Sequence, residues 1–178
     1  MNMYKYIPNF LSSEYCEELV KKIMVLDSLT QKPIKIYGKE VLQPRLTAYY
    51  GDVDYKYSGK TNKAEPFPDF INEVAKKLEY SYNAVLINLY RDGNDYISPH
   101  SDNEKEIDKN IPIASISLGA TRKFIFQNKY NDEKIVLQLK NGDLLYMNNE
   151  CQKMYKHSIP KQKNVKNMRV NLTFRKML

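Results

Sequence analysis

Arg169-Val170-Asn171-Leu172-Thr173-Phe174-Arg175 alternates polar and apolar residues, the period-two signature of a β-strand. Val170, Leu172 and Phe174 share one face and are expected to pack on a core. Arg169, Asn171, Thr173 and Arg175 share the other. Two guanidinium groups on one strand face are costly to bury unless anions meet them. Arg holds planar carboxylates or phosphates in bidentate fashion, and Asn171 and Thr173 add neutral hydrogen-bonding groups between the charges. The face reads as a receptor for a small molecule with carboxylates at both ends. An edge strand with both Arg side chains in water accounts for the stretch equally well.

The histidines decide between these readings. The chain has two, His100 and His157. His100-Ser101-Asp102 places an imidazole and a carboxylate at i and i+2, on one side of an extended segment. His157 lies 57 residues further on, a dozen residues before the Arg strand. Two His and one carboxylate form the facial triad of non-haem Fe(II) oxygenases, which leaves metal positions open for a cosubstrate and O2. A lone His is usually a packed or solvated residue. The ordered set of His-x-Asp, distant His and Arg/Asn strand is far more specific.

Four segments carry a resemblance in order and spacing: His100–Glu104, Ile113–Gly119, His157–Lys161 and Arg169–Arg175. They are similar to the AlkB family of Fe(II)- and 2-oxoglutarate-dependent dioxygenases, which oxidatively dealkylate nucleic-acid bases. The likeness runs from about Ile36 to Arg175. It implies that His100, Asp102 and His157 hold Fe(II), and that Arg175 lies near the keto-acid end of 2-oxoglutarate. Arg169, Tyr90 and Asn171 would take the distal carboxylate, with Asn88 beside them. O2 is the co-oxidant. The implied activity is oxidative demethylation of 1-methyladenine and 3-methylcytosine in DNA with release of formaldehyde. RNA or another substrate, or a non-catalytic nucleic-acid-binding module, are the alternatives. The family usually carries Trp two residues before the second His, where this chain has Tyr155.

A chain of 178 residues suits one domain with a full core, taken here as 1–178. No run approaches the ~20 apolar residues of a membrane-spanning helix. The N-terminus lacks the apolar core of a signal peptide, and Cys16 and Cys151 show no metal spacing. A soluble, intracellular monomer is expected, with nucleus and cytoplasm not distinguished. The net charge of +7 is concentrated: residues 151–178 hold eight Lys or Arg and no acid, and the other 150 carry a net charge of −1. A basic cluster is the footprint of a polyanion, although a solvated tail would look the same.

In chain order, Ser12-Ser13-Glu14 caps a helix whose apolar positions are Leu19, Val20, Ile23 and Met24. Residues 34–41 read as a β-hairpin with its tip at Tyr37-Gly38. This hairpin resembles the finger of the duplex-repair members, and residues 34–59 would form a nucleotide-recognition region. Tyr37 would be the stacking wedge, with Ile36 and Gly38 beside it, and Lys39 and Arg45 at the DNA. Tyr55, Tyr57 and Glu104 would flank the target base. Ordinary sheet tyrosines and a solvent-facing acid in a charged run remain open as alternatives. The segment between Asp52 and Tyr55 is slightly shorter than the family's.

A second helix is expected from Pro68 to about Tyr80, then a strand over residues 84–90 with Leu86, Asn88 and Tyr90 on one face. Further strands are expected at 111–118, 123–127, 134–139 and 143–148. Many evenly spaced strands with two early helices predict a mainly β fold with supporting helices and a double-stranded β-helix, or jelly-roll, core.

Overall fold

The computed structural model describes residues 3–36, 38–57 and 60–178, and the side chains at 35, 36, 55–57 and 60 fall outside it. The chain begins with β1 (Tyr4–Ile7) and helix α1 (Ser13–Met24), followed by β2 (Pro33–Ile36), β3 (Lys39–Leu42) and β4 (Leu46–Gly51). Next come β5 (Tyr55–Tyr57), β6 (Lys60–Asn62), helix α2 (Asp69–Ala75), β7 (Ala84–Tyr90) and β8 (Ile97–His100). The second half holds β9 (Ile113–Gly119), β10 (Arg122–Asn128), β11 (Lys134–Leu139) and β12 (Leu144–Met147). Helix α3 (Asn149–Met154), β13 (Tyr155–Ile159) and β14 (Arg169–Arg175) complete it.

The Arg strand is β14, and it is central, not an edge. The larger sheet runs β1-β12-β9-β14-β7-β4 and the smaller β11-β10-β13-β8. One face of the larger sheet carries Val85, Ile87, Val170, Leu172 and Phe174, all buried in a core with Leu19 and Ile23 of α1 and Ile71 and Val74 of α2. The alternation of β7 and β14 therefore feeds one apolar core, and the intervening polar residues face the other way. A second core, including Ile113, Phe124, Phe126 and Leu145, gathers residues of both sheets. This is the two-sheet architecture of a jelly roll.

Local sequence explains most boundaries. The Ser12 hydroxyl accepts from the Tyr15 N–H and caps α1. Its last residue, Met24, is 44% exposed and adds nothing to the core expected of it. Helix α2 stops at Ala75 and not near Tyr80, because the next amides bond three residues back: Lys77 to Val74 and Leu78 to Ala75. That tightening turns the chain toward β7 while Leu78 still reaches the core. The lead into His157 contains α3, capped by Asn148, whose side chain accepts from the Cys151 N–H at 2.9 Å.

The hairpin is formed by β2 and β3, with Ile34 opposite Val41 and Ile36 opposite Lys39. Gly38 has φ +76°, the left-handed conformation that glycine adopts without penalty. Every residue of β3 is exposed, including Val41 and Leu42. Tyr37 lies outside the described residues.

Candidate metal and carboxylate site

The two histidines meet by strand pairing. His157 of β13 sits directly opposite His100, the last residue of β8, and the register shifts just beyond this pair. The ring centroids are 4.3 Å apart. Phe124 stacks on His157 at 5.4 Å, nearly parallel, which fixes the plane of that imidazole. His100 Nδ1 lies 2.9 Å from the Ser98 carbonyl oxygen. A protonated Nδ1 donating there leaves the Nε2 lone pair for a metal. Asp102 follows in an irregular segment, with Oδ1 3.8 Å from His100 Nε2. One ligand atom from each of His100, Asp102 and His157 falls within 4.8 Å of the others.

Electrostatics prepare these groups as ligands. Burial opposes ionisation of Asp102, but Arg175, His157 and His100 outweigh it and hold its carboxyl well below the usual carboxylate range. Burial, with His100 adding to it, brings His157 down to about 3 against the pull of Asp102. At neutral pH the site therefore presents an anionic carboxylate and an unprotonated imidazole. That set suits a divalent transition metal.

All eight residues expected to hold metal or cosubstrate line one cavity between the sheets: Asn88, Tyr90, His100, Asp102, His157, Arg169, Asn171 and Arg175. Register explains this. On β14, Arg169 pairs with Tyr90 and Asn171 with Asn88 of β7, so the polar faces of two adjacent strands coincide. Arg169 is 1% exposed. Its Nη2 donates to Ser117 Oγ at 2.9 Å, while Nε and Nη1 are buried with no hydrogen-bond partner among the described residues. Burial brings this guanidinium down to about 10, and Tyr90, whose ring lies 5.5 Å away, opposes the shift. The group stays a cation at neutral pH, with Tyr90 beside it and with Nε and Nη1 making no hydrogen bond of good geometry among the described residues.

Three of the expected site residues already have protein partners. Arg175 Nη2 donates to Asp102 Oδ2 at 3.0 Å, which holds that carboxylate at the end of the cavity where the keto-acid end of 2-oxoglutarate is expected. Asn171 lines the cavity, but its Nδ2 already donates to Ser115 Oγ and the Ile116 carbonyl, and Oδ1 accepts from Thr173. These bonds hold its amide in place in the cavity wall. Arg45, expected at the DNA surface, is 3% exposed and its Nε donates to Asn88 Oδ1 at 2.8 Å. It separates the cavity from a neighbouring one of about 210 Å³ lined by Lys32, Gln43, Thr47 and Asn62.

The other expected contacts are more dispersed. Glu104 is half-buried and does not line the cavity. Tyr55 and Tyr57 lie on the β5–β6 hairpin, with side chains outside the described residues, as is that of Ile36; Lys39 is exposed on β3. Of the eight basic residues after 150, Arg169 and Arg175 are buried in the site. Five lysines are exposed: Lys153, Lys156, Lys161, Lys163 and Lys166.

Sequence reasoning passed over two buried polar residues. Arg122, fully buried, donates to the carbonyls of Asp92, Asp95 and Pro160, and so ties together two loops beside Tyr90. Gln152 accepts from the Asp102 N–H. Neither belongs to a motif, and the partners of both are remote in sequence.

Comparison with known proteins agrees with this geometry. The 2OG-Fe(II) oxygenase superfamily description matches residues 3–175. The chain is 36% identical to bovine (Bos taurus) DNA oxidative demethylase ALKBH2 over 94% of its length and 65% of that protein. It is 35% identical to the human (Homo sapiens) ALKBH2, over 94% of the chain and 69% of the relative. It is 36% identical to bovine alpha-ketoglutarate-dependent dioxygenase alkB homolog 3, over 75% and 51%. The chain thus spans about two thirds of the length of the first relatives and half of the last. The solved structure of OsALKBH1 superposes with a TM-score of 0.68 over 99% of both chains at 16% identity, a likeness of fold. On the family match over residues 3–175 and the identity to the ALKBH2 relatives, the chain belongs to the 2OG-Fe(II) oxygenase superfamily, within its AlkB family.

Proposed function

We propose that this chain oxidatively removes methyl groups from N-alkylated bases, 1-methyladenine and 3-methylcytosine, in DNA. The observation that carries the reading is Arg169: a buried cation with two unpartnered donors, sharing a cavity with a His-Asp-His cluster. A buried guanidinium in that state calls for an anion. A dicarboxylate supplies one, with its other end at the metal.

The residues fit both groups that the family implies. His100, Asp102 and His157 would hold Fe(II), and Arg169, with Tyr90 against its guanidinium, would hold the distal carboxylate of 2-oxoglutarate. When bound, iron and 2-oxoglutarate together supply oxidation of the methyl group by O2, with formaldehyde, succinate and CO2 as products. The protein's part is placement. Arg175 and His100 divide the two oxygens of Asp102 between them, Phe124 sets the plane of His157, and Arg169 fixes the reach of the cosubstrate.

Support for a DNA substrate comes from the relatives and from the surface. The relatives named above as ALKBH2 are DNA oxidative demethylases. Residues 34–59 would recognise the nucleotide, within one domain spanning 1–178. The β2–β3 hairpin leaves every residue of β3 exposed, so a projecting hairpin is available for Tyr37 to act as the proposed wedge. The lysines of residues 153–166 would follow the phosphates. A target base must leave the stack to reach a buried metal, which favours bases whose pairing edge is already blocked by methylation. No helix among the described residues is long and apolar enough to cross a membrane.

The test is formaldehyde release, with Fe(II) and 2-oxoglutarate, from matched single- and double-stranded oligonucleotides containing 1-methyladenine. Turnover on duplex supports both the chemistry and the hairpin's role. Turnover on single strands alone keeps the chemistry and removes the wedge. Consumption of 2-oxoglutarate with neither substrate demethylated assigns the oxygenase to another substrate.

A further inference from the structure

We infer that Gln152 is a positioning residue of the metal site, locking the Asp102 segment to the α3–β13 element that carries His157. The inference rests on reading His100, Asp102 and His157 as metal ligands.

The ladder between β8 and β13 ends at the His100–His157 pair. Asp102 lies beyond the last paired residue, in a stretch without regular structure, yet it is 2% exposed. No strand pairing therefore fixes its backbone, and within the larger sheet Arg175 meets the carboxylate at one oxygen. A buried backbone N–H there needs an acceptor. The Asp102 N–H finds one in Gln152 Oε1, at 3.0 Å across 50 residues of sequence. One residue earlier, the Ser101 hydroxyl donates to the Tyr155 carbonyl at 2.8 Å. Together the two bonds continue past His100 the closure that the strand ladder abandons.

Gln152 is itself held on every side. It is 3% exposed and sits in α3, where its N–H reaches the Asn148 carbonyl at the capped end. Its own carbonyl accepts from Lys129 Nζ at 2.6 Å. Its Nε2 rests 3.8 Å from Met147 Sδ, and Met147 lines the cavity. The amide has one oxygen to give, and it gives it to the ligand segment. His157 follows five residues later on the same continuous element, so Gln152 transmits the placement of one metal ligand to another. A neutral amide suits the position. Glutamate would set a second carboxylate beside Asp102, and an apolar residue would strand a buried N–H. With the bond intact, Asp102 presents Oδ2 to Arg175 and Oδ1 toward His100. Without it the carboxylate is free to swing about its Arg175 contact.

Mn(II) binding to the full chain, followed by the loss of its free-ion electron paramagnetic resonance signal, tests this without turnover. Gln152→Met keeps the side chain's length and removes the oxygen acceptor. It should weaken Mn(II) binding about 10–100-fold, the usual effect of removing a group that orients a metal ligand. A role confined to fold stability would lower the melting temperature of the metal-free chain and leave Mn(II) affinity within about twofold of the parent; that result overturns the inference. Should Gln152→Met not fold, Gln152→Asn, which withdraws the amide by one methylene, decides by the same readout. A parent chain that itself binds no Mn(II) breaks the metal-site reading as a whole. A parent that binds, with variants that bind equally well, breaks only the role of Gln152.

Discussion

Arg169→Met separates the ligand role of this residue from any structural one, because the two predict opposite signs. The guanidinium is 1% exposed and three of its nitrogens face the protein interior, but Nη2 alone has a partner. In the metal-free, cosubstrate-free chain that charge is a burden. Replacing buried ionic groups by apolar ones of similar volume is often neutral or stabilising, by about 1–4 kcal/mol. The variant should melt at or above the parent's temperature. In the complex the sign reverses. Nε and Nη1 would make two charge-assisted hydrogen bonds to a carboxylate, each worth about 1.5–3 kcal/mol. Losing both costs about 3–6 kcal/mol, or roughly a hundred- to ten-thousandfold in affinity for 2-oxoglutarate. Thermal shift with Mn(II) present reads both effects at once. At 100 times its dissociation constant, a ligand stabilises the parent by about 2.7 kcal/mol, a rise of roughly 5–11 °C for a chain of this size. The variant should show no rise at the same concentration. A variant that melts lower than the parent when empty, yet keeps its shift with 2-oxoglutarate, would refute the reasoning and make Arg169 a structural cation.

Asp102→Ala should abolish Mn(II) binding and turnover; it should also destabilise the empty chain by about 3–5 kcal/mol in urea, since Arg175 loses its buried carboxylate contact. Full turnover would remove Asp102 from the ligand set. Burial pushes the Cys16 thiol up to about 11 and the Cys151 thiol to about 12, so both should resist iodoacetamide at pH 8 until the chain is unfolded. Rapid labelling of the native chain would contradict their burial. The same shifts set alkaline stability. The unfolded chain releases thiol protons near 9.0 and phenol protons near 10.0, whereas the folded chain keeps those of Cys16, Cys151 and of Tyr49, which burial pushes up to about 12. Their contribution is therefore complete below pH 9 and is lost as pH rises toward 12, so the melting temperature should fall steadily across that window. A flat profile from pH 9 to 11 would refute it. Replacing Lys161, Lys163 and Lys166 together by Ala should lower the slope of log affinity for duplex DNA against log salt by about 2.7, if each neutralises one phosphate. An unchanged slope would place DNA on another face.

Much of the site was legible because the residues that build it announce themselves by pattern. A strand with arginines at its first and last positions and an amide on the same face has few ways to be buried, and the structure buries all of β14. The His-x-Asp segment and the distant His could be joined by residue type alone, and an antiparallel pair then set them opposite one another. Residues whose roles depend on partners remote in sequence did not announce themselves. Helix α3 spans six residues, too short for a periodic signal, and its cap at Asn148 looks like one more turn residue. Gln152 and Arg122 are tied to partners 50 and 27–38 residues away, so no local spacing marks them. The burial of Arg45 was hidden for the same reason. The family resemblance places it at the DNA, and only the β4–β7 pairing beside Asn88 shows why it is buried here.

The basic cluster shows where composition and pattern should have been combined. Counting charges after residue 150 gives eight cations, but two of them occupy the polar face of a strand whose other face is plainly core. Those two are interior cations with an anion to meet, and they add nothing to a surface field. Subtracting them leaves six, and Lys176, half-buried at the end of β14, leaves five exposed lysines between 153 and 166. Lys161 already lies over the Tyr96 ring at 4.9 Å, and the loop that carries it is pinned where the Gly93 N–H donates to the Val165 carbonyl and the Gln162 N–H to the Gly93 carbonyl. A Cβ at Gly93 would overlap the Gln162 carbonyl, so this contact requires glycine. The surface cations are thus fewer than composition suggests but better placed. A loop tied to Gly93 by two backbone hydrogen bonds carries three of them, whereas a loose basic tail would lose conformational entropy each time it met a phosphate backbone.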